Sequence, residues 1–380
     1  MKNKVVIELI PGISEGGAET LVKDYCLFLK KKGFNMEVVT LLPPSKDSAN
    51  YKILLDNGVK VISLDKNRWF YSNWFLRNLW RYTIRPIYAS YQLAKIIKHQ
   101  HPHCIHVHMR MLEYLSRISF LLKDIKLFYT CHNEPHLFFE NKKSFLEKRA
   151  ANKLICNNGL QLIALHDEMR KELNHMFNVN NTIVIHNGVD FSRFENVRID
   201  RDAYRNSIGL SSEDFIVGHI GRFNKQKNHT FLLKIFALIV EKKSNAKLLL
   251  IGDGALRNQV EKEIDNLNLR NKCVILEHRA DIPQLLASMD VFLFPSLFEG
   301  LPVTLVEAQV VGIRCVVSNT ITKECFFNNR IIPIGLEEPI DIWANAVLDQ
   351  TMQGPYEANI MRFDMNSEIN HLGQLYTNEI

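Results

Sequence analysis

FIVGHIGRFNKQKNHTFLLKIFALIVEKKSNAKLLLIGDG, residues 215–254, holds one complete strand–helix–strand unit. Residues 215–220 and 246–251 are apolar runs without the alternation of a half-exposed strand, so burial on both faces is expected. Between them, 228–243 carry apolar residues at helical spacing. The same order repeats outward. Strands are expected before this unit at 4–10, 35–42, 59–64, 104–108, 126–131, 160–165 and 182–186. Helices at 18–32, 74–98, 111–123, 143–156 and 167–176 fall among them. After the unit come strands at 272–276, 290–294, 314–318 and 330–334, with helices at 255–267, 282–288, 302–311 and 339–350. Such alternation specifies α/β architecture, with parallel sheets covered by helices on both faces. Two series are parted by the polar stretch 187–214, which predicts two doubly wound, Rossmann-like domains facing a central cleft. Ligands in such sheets collect beyond the carboxyl ends of the strands. A last amphipathic helix at 366–376 follows a polar segment and is placed to cross back to the first domain.

Composition narrows the function. A length of 380 residues suits two domains, and 46% hydrophobic with 23% charged residues is the balance of a soluble globular protein. No apolar run approaches the roughly 18 residues of a spanning helix. The opening MKNKVVIELIPG is too short in its apolar part, and interrupted by Glu8, to read as a signal peptide; it reads as a buried first strand. Seven cysteines, an odd number with no C-x-x-C pair, point to a reducing cytoplasm. The net charge of +6 is unevenly placed. From Lys66 to Leu112 there is no acid, while Lys66, Arg68, Arg77, Lys95 and Lys98 mingle with Trp69, Trp74, Trp80, Tyr88 and Tyr91. Basic heads and interfacial rings suit an anionic membrane surface, and residues 66–98 are the expected contact. No nucleic-acid motif accompanies them, so no nucleic-acid partner is expected.

Three loops carry chemistry. Ser14–Thr20 contains Gly16 and Gly17 before the first helix, where backbone N–H groups can approach an anion closely. Taken alone it reads first as a tight strand-to-helix turn, and it is not a G-x-G-x-x-G dinucleotide loop. Gly221–Asn228 follows a strand and supplies the Arg222 fork and the Lys227 point charge, a pair suited to a diphosphate. Pro295–Ala308 sets Glu299 and Glu307 on either side of a Gly300-Leu301-Pro302-Val303 helix start, with Pro302 expected in the first turn. A carboxylate at such a helix edge can accept from the vicinal hydroxyls of a ribose. Supporting features are Gly252-Asp253-Gly254, Asn187 within Ile185–Asp190, and His132 after Cys131.

Two features are set aside. His99, His101, His103, His106 and His108 have no H-E-x-x-H pattern and no carboxylate at ligand spacing, and strand alternation is expected to scatter their rings. Asp200-Arg201-Asp202 spells a D-x-D pattern away from any strand end and reads as chance.

GGAET, HNGVD, GRFNKQKN, GDG and EGLPVTLVEAQ stand in the order found in family 4 glycosyltransferases of the GT-B fold. The run from GHIGRFNKQKNH to FPSLFEGLPVTLVEAQ most resembles the bacterial exopolysaccharide and capsule branch. The resemblance implies an N-terminal acceptor-side domain at 1–190 joined by a returning helix within 355–380, and a nucleotide-sugar-binding domain at 191–354. It implies that Arg222 and Lys227 hold the donor diphosphate, Glu307 the ribose and Glu299 the sugar hydroxyls. Gly17 would close on the phosphates, His132 would lie beside the donor sugar, and 300–303 would offer backbone N–H groups. The implied activity is a retaining, metal-independent transfer of a hexose or N-acetylhexosamine from a UDP-sugar to a polyprenyl-diphosphate-linked glycan. Such an enzyme needs no cofactor and works at the inner face of the cytoplasmic membrane. A nucleotide-sugar 2-epimerase of the same fold, or a non-catalytic nucleotide-sugar-binding subunit, are the alternatives.

Overall fold

The structure is a computed structural model that describes residues 4–14, 16–66, 78–140, 144–194, 200–277, 279–349 and 363–377. The chain divides into two compact units, Met1–His186 with Asn366–Ile380, and Asn187–Met365. The first holds a seven-stranded sheet in the order β3-β2-β1-β4-β5-β6-β7. Its strands are β1 (Val5–Ile10), β2 (Asn35–Thr40), β3 (Lys60–Ser63), β4 (Cys104–His108), β5 (Lys126–Thr130), β6 (Gln161–Ala164) and β7 (Ile183–Val184). The second holds β8 (Phe215–Ile220), β9 (Ala246–Ile251), β10 (Cys273–Leu276), β11 (Val291–Phe294), β12 (Arg314–Ser318) and β13 (Ile331–Ile334), in the order β10-β9-β8-β11-β12-β13. Every pairing between these strands is parallel. All six residues of β8 are buried, the outcome that its unbroken apolar run demands. Around it the second core gathers Phe236, Leu250 and the fully buried Trp343.

Local chemistry accounts for three helices not expected from periodicity. Ala49–Asp56 starts where the Ser48 hydroxyl accepts from Tyr51 N at 3.3 Å, and it buries little more than Asn50 and Leu54. Pro135–Phe139 begins on a proline, which suits a first turn. Arg201–Ser207 is capped by Asp200, whose Oδ1 accepts from Ala203 N at 3.1 Å. That cap explains the aspartate of the D-x-D pattern. The helix expected over 111–123 divides into Leu112–Ser116 and a 3₁₀ turn, Ser119–Leu121. The one expected over 74–98 is a π turn, Trp80–Ile84, leading into Arg85–Gln100; residues 74–77 lie outside the described residues.

The final helix, Met365–Thr377, belongs with the first unit from Asn366 onward. Ile369, Leu372 and Tyr376 are fully buried. The Tyr376 ring packs on Phe128 at 5.4 Å, and a Cβ at Gly373 would lie 3.1 Å from Leu29 Cδ2. This helix is part of the first core. Leu372→Ala is therefore expected to cost about 2–5 kcal/mol in unfolding of the first unit. Hydrogen exchange read by peptide should rise within 4–186 and stay unchanged in the core peptides of 215–349.

Candidate active site

In the second sheet, β8 connects toward β9 on one side while its neighbour β11 connects toward β12 on the other. Such a reversal leaves a crevice at the carboxyl ends of the two strands. The loops that follow them are Gly221–Asn228 and Pro295–Pro302, and they meet through charge. Lys227 Nζ donates to Glu299 Oε1 at 2.6 Å and lies 4.5 Å from the centre of the Phe294 ring. Gln226 Nε2 donates to Glu299 Oε2 at 3.1 Å and to Phe298 O at 3.0 Å. Glu299 is buried, so both of its oxygens are held by fixed partners rather than by water.

The loop after β8 is shaped by two asparagines. Asn224 Oδ1 accepts from Lys227 N at 3.1 Å, closing a 3₁₀ turn. Asn228, at φ 55°, takes the left-handed conformation that asparagine tolerates, and its Nδ2 donates to Pro295 O at 3.2 Å. Helix His229–Lys242 starts there. Arg222 stands exposed at the beginning of the same loop. Gly252 sits at φ 139°, where a Cβ would lie 2.3 Å from Gly221 O. Its glycine is thus required by packing of the β9 loop on the β8 loop.

Glu307 is the fifth residue of helix Val303–Val311 and is buried, with Arg193 Nη1 donating to its Oε1 at 3.5 Å. Pro302 stands at the N-cap, one position before the first turn expected for it. The N–H groups of Val303 and Thr304 therefore belong to the helix start that lacks intrahelical acceptors. Asn187 Nδ2 donates to Leu301 O at 3.1 Å, while its buried Oδ1 has no hydrogen-bond partner among the described residues. Gly300 and Leu301 are buried beside them. Arg193 and Gln226 escaped the sequence reading. For Arg193 the available signal was Asp190, whose Oδ1 accepts from Ser192 N at 3.1 Å and turns the chain so that Arg193 reaches Glu307.

The first unit has its own reversal between β1 and β4, and there the histidine expectation is corrected. His106 and His108 are two apart on one strand, so they share a face. The register sets Glu8 of β1 opposite His106, supplying a carboxylate that spacing along the chain could not reveal. Glu8 Oε2 lies 2.7 Å from His108 Nε2, and His108 Nδ1 lies 2.8 Å from His132 Nε2. His132 thus stands just beyond β5, joined to this cluster. Burial pushes Glu8 up to about 8, against the opposing hydrogen bond from Tyr376. Burial also pushes His108 down to about 3 and His132 well below the imidazole range. Gly16 is the N-cap of helix Gly17–Lys31 at φ −79°, and a Cβ on Gly17 would meet nothing within 4 Å. The fold does not demand glycine at position 17.

Two family models match the chain: "Glycosyltransferase Family 4" over residues 15–193 and "Glycosyl transferases group 1" over 200–325. The chain belongs to glycosyltransferase family 4. EpsF of Bacillus subtilis, a glycosyltransferase by name with no donor or acceptor stated, is 27% identical over 350 residues, covering 90% of this chain and 87% of its own. The UDP-Gal:α-D-GlcNAc-diphosphoundecaprenol α-1,3-galactosyltransferase of Escherichia coli is 28% identical over 327 residues, 83% of each chain. In fold, the chain is similar to Anabaena HepE, solved with UDP and glucose, at a TM-score of 0.71 and 20% identity, covering 99% of this chain and 96% of that one. It is also similar to the sucrose-phosphate synthase of Thermosynechococcus elongatus at 0.76 and 15%, covering 98% of each. Both carry the two-domain GT-B architecture of parallel sheets that this family member has.

Burial sets the sign of two pH effects in the first unit. Glu8 and Glu147, both raised from 4.5 to about 8, contribute stability that is full below pH 4.5 and lost as pH rises toward 8. His106, His108 and His132, all lowered from 6.5, act the other way, so stability is gained as pH rises to 6.5. The three histidines outnumber the two acids at the lower end. Urea unfolding of the first unit should accordingly be hardest near pH 6.5 and easier at both pH 5 and pH 8.5. In the second unit, Gly252→Ala is expected to lower the melting temperature by several degrees, whereas Gly17→Ala in the first unit should leave melting unchanged.

Proposed function

We propose that this family 4 enzyme is a retaining, metal-independent transferase that moves a hexose or N-acetylhexosamine from a UDP-sugar to a polyprenyl-diphosphate-linked glycan in surface polysaccharide synthesis. The observation that carries the reading is the Lys227–Glu299 contact at the strand-order reversal of the second sheet, 2.6 Å long. It sets one cation against one buried carboxylate at the place where a doubly wound sheet receives its ligand, which supports reading Lys227 as a phosphate partner and Glu299 as a sugar partner. The donor nature is supported by HepE, solved with UDP and glucose, and by the E. coli relative, whose name gives a UDP-galactose donor and a diphosphoundecaprenol acceptor. The polysaccharide role is supported by the capsular polysaccharide glycosyltransferase CapM of Staphylococcus aureus, 31% identical over 137 residues.

Breaking the anomeric C–O bond leaves a nucleoside diphosphate, so the main task is to stabilise negative charge. Arg222 and Lys227 take that role, with the N–H groups at the start of helix Val303–Val311 adding to it. Lys227 exchanges part of its contact with Glu299 for phosphate, and Glu299 turns to the sugar hydroxyls. Glu307 accepts from the ribose hydroxyls and is held in place by Arg193. Asn187 Oδ1, buried and open, is one further acceptor for the donor. Gly16 and Gly17 let a backbone anion loop approach the phosphates, which gives a reason for a glycine the fold does not need. His132 stands beside the donor sugar. A leaving-group oxygen takes the acceptor proton on the same face, giving retention without a covalent intermediate on Glu299.

Peripheral docking to the inner face of the cytoplasmic membrane completes the reading. No helix among the described residues is long and apolar enough to cross a membrane. Arg85–Gln100 instead exposes Ile87 (65%) and Tyr91 (56%) near Phe120 (76%), with Lys95, Lys98 and Arg117 bordering the same shallow groove. Apolar side chains ringed by cations fit an anionic lipid surface. The rest of the basic aromatic stretch, residues 67–77, lies outside the described residues.

The first test is a thermal-shift panel of nucleoside diphosphates and their sugars, with and without EDTA. UDP species should raise the melting temperature and EDTA should not reverse the rise. Arg222→Ala and Glu307→Ala should each lower transfer about 10²–10³-fold at unchanged stability; wild-type turnover in either variant would sink the site assignment. Lys95→Glu combined with Lys98→Glu should abolish sedimentation with vesicles containing phosphatidylglycerol at low salt, and retained sedimentation would remove the membrane surface from this helix.

A further inference from the structure

We propose that Glu8 and His108 are positioning residues that decide whether His132 presents a proton or a lone pair at Nδ1. The proposal rests on the reading of His132 as the histidine beside the donor sugar, and it adds what controls that histidine.

The four groups form an unbroken row. Tyr376 Oη donates to Glu8 Oε1 at 3.1 Å. Glu8 Oε2 is 2.7 Å from His108 Nε2, and His108 Nδ1 is 2.8 Å from His132 Nε2. Beyond this, His132 Nδ1 makes no hydrogen bond to the described residues, and the residue is half-buried where Glu8 and His108 are fully buried. The row therefore has one open end. A metal is not needed to explain the cluster, because His106 also has both nitrogens occupied, by Tyr376 Oη at 2.5 Å and Thr130 Oγ1 at 2.7 Å.

Each link in the row holds one proton, and a neutral imidazole carries only one. When Glu8 is protonated it donates to His108 Nε2. His108 must then carry its proton on Nδ1 and donate to His132 Nε2, which leaves His132 with N–H at Nδ1. When Glu8 is ionised it accepts from His108 Nε2, His108 Nδ1 accepts from His132 Nε2, and His132 Nδ1 is bare. The two arrangements differ by one proton. Its departure at Nδ1 moves the proton of His108 to His132, moves that of Glu8 to His108, and leaves the charge on Glu8. No imidazolium is formed at any stage.

The surroundings favour the protonated arrangement at neutral pH. Glu8 faces Tyr25 and Cys26 from helix Gly17–Lys31, His106 and Cys104 from β4, and Tyr376 from the final helix, with Asp24 and Glu368 more distant. Burial raises the phenols and thiols among them well above their usual range, so none of them titrates before Glu8. With Glu8 itself lifted to about 8, His132 offers Nδ1–H to a sugar hydroxyl or phosphate oxygen below that pH and an acceptor above it. A histidine placed alone beside the sugar would be free to take either tautomer.

Imidazole ¹⁵N chemical shifts of the full-length protein, labelled at histidine and assigned by His132→Ala, separate the two tautomers directly. The wild type should show His132 protonated at Nδ1 at pH 6.5 and at Nε2 above a midpoint near 8. Glu8→Gln, whose amide donates where the acid proton did, should hold Nδ1–H from pH 6 to pH 9.5. Tyr376→Phe, which removes the hydrogen bond that favours the Glu8 carboxylate together with the one to His106 Nδ1, should move the midpoint upward. A His132 that changes tautomer at the wild-type midpoint in both variants, or that becomes an imidazolium with an ordinary titration, would overturn the coupling. A His132→Ala variant that binds UDP-sugars as tightly as wild type would instead remove His132 from the donor site, an outcome read from binding and independent of the wild-type tautomer midpoint, so the two failures are distinguishable.

Discussion

Two neighbouring parallel strands whose connections leave the sheet in opposite directions cannot both be covered at their carboxyl ends. That constraint organises this protein twice, between β1 and β4 and again between β8 and β11. Each opening is lined by the side chains that the adjacent strand ends and loops supply, and in each unit these include buried polar groups. In the second unit the opening holds an ammonium against a buried carboxylate. In the first it holds a row of imidazoles ending on another buried carboxylate. Buried charges are costly unless paired, so such groups persist only where partners or ligands compensate them.

The two openings solve the burial of an acid differently. Glu299 is met by Lys227 and by the Gln226 amide, so its charge is balanced within the loops. Glu8 has the Tyr376 hydroxyl and imidazoles around it and no Lys or Arg in contact among the described residues, and burial raises it to about 8. One acid is balanced by a cation across two loops, the other sits among uncharged partners.

Much of this was legible along the chain. Strands 215–220, 246–251 and 314–318 have the limits read from the sequence, because each is built around a run of buried apolar residues. The loops bearing Arg222, Lys227, Glu299 and Glu307 followed from the same reading. What escaped depends on registration between distant segments. Glu8 and His108 are separated by 100 residues, and only the pairing of β1 with β4 makes them neighbours. Lys227 and Glu299 are 72 apart, and each looked like a separate ligand for the donor. The short helix Ala49–Asp56 buries too little to leave a periodic trace, and its hydroxyl cap was the sole cue. Gly17 and Gly252 looked alike as loop glycines, yet the backbone requires only the second.

The final helix has a consequence for how the molecule is made. The first unit is written in two pieces, and the whole of the second is inserted between them. A nascent chain that has completed β1 through β7 still lacks Ile369, Leu372 and Tyr376 from its core. Glu8 meanwhile waits without the one hydroxyl that holds its Oε1. The second unit has every one of its strands before then. The chain segments of the second unit are therefore all synthesised before the helix that closes the first core.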